Sequence, residues 1–183
     1  MLALEGKRWS ERAADDRKNK NLNLSDGRFV SYDQLAKENG EPYAAVATEE
    51  NFLRMEAAAQ KALDHMADKL AAAAPDTVII VGDDQAELFS PSNLPAISIF
   101  YGDEILTHER HITEKTPTWV STVSKGYAMD SVHSFPGNPE FARELIEGLI
   151  AEDVDVASAA KVDDPYKAGF GHAYGFVIER LFG

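Results

Sequence analysis

The sequence predicts a layered α/β/α domain around a central, mostly parallel or mixed sheet that is incomplete at both ends. Three observations lead there. Residues 77–81, Thr-Val-Ile-Ile-Val, are a continuous β-branched run of the kind found in strands covered on both faces. A long amphipathic helix precedes this run, and a second apolar stretch, residues 96–100, follows it. The succession of helix, strand, polar loop, strand and helix is that of layered folds.

The first thirty residues are polar and show no sustained period, so they read as a loop with one helical turn. Ser31 can cap a short helix that ends at Asn39 and Gly40. Thr48 opens the strongest helix. Phe52, Met55, Ala59, Ala62, Leu63, Met66 and Leu70 recur there at three- and four-residue steps until Pro75. After the run at 77–81 comes Gly82-Asp83-Asp84-Gln85, just past the carboxyl end of the predicted strand, where open α/β sheets place their ligand sites. The second strand is entered from Pro95 and left at Gly102. Between Asp103 and Pro136 the pattern weakens, and only residues 118–123 resemble a strand. That stretch reads as a long excursion or a lid. Asn138 and Pro139 open a helix with Phe141, Leu145, Leu149 and Ile150 on its apolar side. Residues 154–162 have strand-like order, and residues 173–182 are apolar enough for a buried helix or strand. The chain is thus one domain over 1–183, with an irregular lead-in at 1–47 and a core at 48–183.

Composition narrows the function. The 183 residues hold no cysteine, which excludes disulfides, zinc–thiolate sites and thiol nucleophiles, and the short apolar stretches and mixed charges at the N-terminus lead to the expectation of a cytoplasmic chain. A net charge of −13 without a dense basic patch argues against nucleic acid and against a membrane surface as partners. No Walker loop, dinucleotide fingerprint or Gly-x-Ser-x-Gly elbow occurs.

Five histidines remain as candidates for chemistry. His65 sits in the long helix as a solvated residue. His108 and His111 have a spacing that would bring both imidazoles to one metal on a helix, against the plainer reading of a charged surface stretch. His133 lies near the turn Pro136-Gly137, either pointing into a site or serving the turn. His172 follows glycines at 169 and 171 and is surrounded by Tyr166, Phe170 and Tyr174. It suits acid–base work near neutral pH, against the reading of a structural histidine. Asp83, Asp84, Gln85 and Glu87 offer hard oxygen donors for a divalent cation.

Taken in order, Gly82-Asp83-Asp84-Gln85-Ala86-Glu87-Leu88-Phe89, then Asn93-Leu94-Pro95-Ala96-Ile97, then Gly169-Phe170-Gly171-His172-Ala173, the chain resembles the class III extradiol ring-cleavage dioxygenases, the group of protocatechuate 4,5-dioxygenase and gallate dioxygenase. The resemblance covers most of the chain from about Thr48. It implies a non-haem Fe(II) enzyme that opens catechol- or gallate-type rings with O2, its iron held by two histidines and a carboxylate. It also implies that His172 is the acid–base residue, with His133 as a further active-site histidine and Phe170 and Tyr174 against the substrate. Gln85 falls at the position of the second ligand histidine, with Asp84 and Glu87 as possible helpers. The family's first ligand histidine would precede Met1 and its carboxylate would follow Gly183. The chain is therefore expected to be a fragment, inactive alone, and to associate with itself or with a second subunit. Two readings from other classes stay open: a non-catalytic binding or structural module of the same fold, and a metal-dependent hydrolase built on Asp83 to Glu87.

Overall fold

A computed structural model describes residues 2–90 and 92–183. It shows helices and small sheets in a mixed α/β arrangement. A 3-10 turn, Gly6–Arg8, runs into α1, Trp9–Asp16. A short antiparallel hairpin follows, β1 (Leu22–Asn23) with β2 (Phe29–Val30), and then α2, Tyr32–Glu38. The longest element is α3, Glu49–Ala73. Beyond it lie β3 (Ser98–Phe100), β4 (Glu104–Leu106), α4 (Thr118–Lys125), β5 (Ser134–Pro136), α5 (Pro139–Ala151), β6 (Ala157–Ala159) and α6 (His172–Phe182). Among the described residues every sheet has two strands: β3 pairs parallel with β6, and β4 pairs antiparallel with β5.

The predicted helix starts are made by their capping side chains. Ser31 Oγ accepts from Gln34 N at 3.1 Å, Thr48 Oγ1 from Asn51 N at 3.3 Å, and Asn138 Oδ1 from Phe141 N at 3.2 Å. Each satisfies an amide that the first turn leaves unpaired. Helix α3 stops where Ala74 turns left-handed at φ 42° ahead of Pro75, which cannot continue it.

Three expectations change. Residues 118–123 are helical instead of a strand. In α4, Trp119 and Val123 stand four apart and both reach the core, while Trp119 Nε1 donates to Asp15 Oδ2 at 2.7 Å and Arg8 Nη1 donates to Thr122 Oγ1 at 2.7 Å. Packing on α1 selects the helical period over the β preference of Thr118, Val120 and Thr122. The opening segment is more ordered than a loop because Trp9 buries its indole and donates from Nε1 to Leu4 O at 2.8 Å. Finally, residues 77–81 pair with no strand among the described residues. The β-branched run meets the local requirement for a strand, but a strand exists only where another lies beside it.

The core is small. Leu4, Trp9 and Val123 are buried with Phe52, Trp119 and Tyr127 packed around them, and the Trp9 and Phe52 rings lie 5.8 Å apart. A neighbouring group holds Thr107, Ser124, Ala128, Met129 and Phe170. No described residue of α3 is buried. The accessible surface is 12454 Å², whereas a compact chain of 20.1 kDa exposes about 8,700 Å². No described helix is long and apolar enough to cross a membrane.

Candidate functional site

The polar loop after residue 81 is organised by Asp84. Its Oδ1 accepts from Leu88 N at 2.8 Å and Glu87 N at 3.3 Å, and its Oδ2 accepts from Ala86 N at 3.0 Å and Phe89 N at 3.2 Å. One carboxylate thus gathers four amides into a tight turn, helped by Ala86 in the left-handed region at φ 67°. The turn presents Glu87 inward. Its carbonyl accepts from Gly169 N at 2.9 Å, tying the loop to the segment that leads into α6.

That segment is fixed from the other side by β4. Phe170 N donates to Leu106 O at 3.0 Å, and His108 N donates to Phe170 O at 2.9 Å, with Thr107 and Phe170 in a parallel bridge. Gly171 then opens α6, and His172 is the first helical residue. Its Nδ1 stands 2.8 Å from Glu87 Oε1. The two side chains are 25% and 13% exposed, so the pair is largely shielded yet reachable from one side. A carboxylate can only accept, so this contact calls for the proton on Nδ1 and leaves Nε2 as the ring nitrogen that can face another group. Gly171 makes room for this: a Cβ there would lie 2.1 Å from Glu87 Cδ.

One aromatic ring, Tyr127, lies against His172, and a chain of three others runs through Phe170, two residues before it. The Tyr127 ring centre is 5.7 Å from that of His172, and Phe170 packs edge-on against Tyr174 at 5.1 Å and against Phe100 at 5.0 Å. Tyr174 also donates from its hydroxyl to Gly82 O at 3.2 Å. Burial raises the phenols of both Tyr127 and Tyr174, and for Tyr174 the negative charges of Asp84, Asp83 and Glu87 add to it. Both therefore stay protonated at neutral pH. A depression of about 310 Å³ is lined by residues 86–90, Glu87 among them, with Asn93, Lys167 and Ala168, and His172 is not part of its wall.

The other candidates make contacts of their own. His133 Nε2 lies 2.8 Å from Asp130 Oδ1 and 3.2 Å from Ser131 Oγ, its backbone N donates to Thr107 Oγ1, and its ring stacks on Phe135. Burial alone would raise the Asp130 carboxyl, but the His133 hydrogen bond and nearby positive charge outweigh this and hold it below the usual range. His108 and His111 lie in a segment that is not helical, so their three-residue spacing does not stack the imidazoles, and His108 Nδ1 faces Pro165 O at 3.1 Å. Gln85 is exposed, with its amide donating to Asp83 Oδ2 at 3.4 Å.

The donors present do not fit an iron site of two histidines and a carboxylate. Asp84 spends its oxygens on backbone amides, Glu87 faces His172, and among the described residues no group of three His, Asp or Glu side chains converges. No family model, no curated protein and no solved structure matches this chain.

Two features of the site were not singled out from the sequence. Tyr127 reaches His172 from the end of α4, and no local pattern signals such a contact. The role of Asp84 as the organiser of its turn was missed in favour of cation binding, although an Asp followed by free amides in a polar loop has the signature of such turns.

Proposed function

We propose that this chain is the substrate-side part of an extradiol-type dioxygenase acting on catechol- or gallate-like rings, with His172 as its acid–base residue. The observation that carries the reading is the Glu87–His172 hydrogen bond, which joins two of the three sequence segments bearing the family resemblance and leaves Nε2 directed away from the carboxylate. A catechol hydroxyl placed at Nε2 gives its proton to the imidazole, the ring becomes the catecholate, and the imidazolium is stabilised by Glu87. Tyr174, half-buried, is the aromatic residue kept for the substrate side in this reading, whereas Phe170 is buried and supports Tyr174 edge-on. The Fe(II) of this family would need ligands other than Asp84, Gln85 and Glu87. O2 would be the second substrate, and the cytoplasm is the compartment we assign to the reaction.

The same reading carries the finer fold assignment, a layered α/β/α sandwich in which residues 77–81 are an inner strand. The β-branched run and the parallel β3–β6 pair support it.

The test is anaerobic titration of the chain with protocatechuate, gallate and 3-O-methylgallate, followed by the catecholate absorbance band and by the His172 ring signals in NMR. Oxygen uptake is then measured after Fe(II) is added. We expect binding that shifts the His172 signals, and loss of catecholate formation in His172→Ala. Ring opening or catecholate formation that survives this substitution would remove His172 from the role.

A second reading, a non-catalytic binding module of the same fold, is favoured by the lack of a three-ligand group among the described residues. Catechol binding without oxygen uptake, unchanged by Fe(II), would select it.

A further inference from the structure

We propose that Arg110 is the carboxylate-recognition residue of the His172 site, so that the ring taken there is an aromatic acid and not a neutral catechol. The inference rests on the acid–base reading of His172. Among the described residues every lysine is exposed, and the half-buried arginines are Arg8, Arg12, Arg110 and Arg180. Three of these are paired with a carboxylate: Arg8 with Glu11 and Arg12 with Asp16 at 2.8 Å each, and Arg180 with Asp64. Arg110 has no carboxylate partner among the described residues, in a chain with 31 acidic residues against 18 basic ones. Its Nη2 lies 3.9 Å from Met129 Sδ, a weak acceptor. No described side-chain nitrogen is buried without a hydrogen-bond partner, so the other N–H groups of Arg110 reach solvent. A shielded guanidinium with donors to spare offers the planar fork that a carboxylate fills with two parallel bonds.

The backbone ties Arg110 to both segments of the site. Its N donates to Met129 O at 2.9 Å, just beyond Tyr127, and His108 N donates to Phe170 O at 2.9 Å, just ahead of His172. Met129 is buried, which fixes that end of the segment and lowers the ordering cost of a bound ligand.

Tyr127 is the neighbour that Arg110 and His172 share. Its ring centre is 5.7 Å from that of His172. Burial raises its phenol, and the positive charge of Arg110, followed by that of Arg12, works against the rise. Arg12 is already engaged, by Asp16 and by the Trp119 ring at 5.0 Å. Glu87 and Asp130 do not compete for Arg110, since each faces a histidine at 2.8 Å. The site thus has a cation on one flank of Tyr127 and a base on another. A dihydroxybenzoate has the matching division, an anion at one end of a flat ring and acidic hydroxyls at the other.

The experiment titrates protocatechuate, catechol and benzoate anaerobically into the full chain, read by the Arg110 Nε–H and His172 ring signals in NMR and by the catecholate absorbance band. Protocatechuate should bind about tenfold or more tightly than catechol. Benzoate should move the Arg110 signal without a catecholate band. Arg110→Met, which keeps an unbranched stem against Met129, should bring the protocatechuate-to-catechol ratio to near unity at an unchanged melting temperature. Arg110→Lys, which keeps the charge without the fork, should retain part of the preference. Equal affinity of the wild-type chain for protocatechuate and catechol, with both moving the His172 signals, would overturn the inference and leave the His172 reading standing. Benzoate binding at Arg110 with no catecholate from either diphenol would sink the His172 reading while upholding Arg110 as a carboxylate-binding residue. An Arg110→Met chain that lost affinity for protocatechuate and catechol alike would make Arg110 structural and overturn its role. Binding of none of the three would overturn both readings.

Discussion

His172 Nδ1 lies 2.8 Å from Glu87 Oε1, a contact between residues 85 positions apart that brings the acidic loop to the first turn of α6. The carboxylate accepts the ring proton and thereby chooses which nitrogen stays basic. An amide in its place can donate as well as accept. Glu87→Gln is therefore expected to move His172 from the Nδ1–H towards the Nε2–H tautomer, visible in the imidazole 15N shifts, without loss of fold. Glu87→Ala removes the acceptor altogether and should lower stability to urea by about 0.5–1 kcal/mol, the lower part of the range for a hydrogen bond whose partners reach solvent from one side. An unchanged tautomer in Glu87→Gln would mean that the carboxylate does not set the ring.

Two glycines near this pair separate the site from the fold. At Gly171 an added methyl would collide with the end of the Glu87 side chain, at 2.1 Å from Cδ, and the backbone there has an ordinary φ of −93°. Glu87 can swing away, so Gly171→Ala should abolish the His172–Glu87 contact while costing less than about 1 kcal/mol of stability. At Gly175 the methyl would lie 2.0 Å from the Tyr127 carbonyl oxygen, which is backbone and has nowhere to go. Gly175→Ala should cost about 2–3 kcal/mol or more, because α6 must move off the end of α4. Thermal melts with histidine NMR on the two variants check the contrast. Equal losses of stability would sink it.

The Asp130–His133 contact should shape the acid limb of stability. The Asp130 carboxyl is held below its usual range in the folded chain. It therefore binds its proton more weakly folded than unfolded, and its contribution is complete above the unfolded value of about 3.9. That contribution disappears as the pH falls through the lowered folded value. The urea midpoints of wild type and Asp130→Asn are accordingly expected to differ most near pH 6 and to converge by about pH 2. A difference that grows as the pH falls would have the wrong sign for this account.

What the sequence determined by itself is what depends on near neighbours. Ser31, Thr48 and Asn138 each cap through an amide three residues on, and Pro75, just past the cap residue Ala74, stops α3, so these helices were legible in order and extent. The two segments that meet in the candidate site were legible as candidates too, since Asp84 to Glu87 and Gly169 to His172 stand out by residue type. Only the tertiary structure decided how these pieces meet. Residues 118–125 are helical because Trp119 and Val123 find a core made by Leu4 and Trp9, far away in the chain. Glu87 faces His172 because β4 holds Phe170 and Asp84 folds the loop, and neither act leaves a trace at residue 172. The run at 77–81 shows the limit most clearly. Its β-branched residues determine what kind of neighbour it needs, but a ladder requires a second strand whose place no local pattern records.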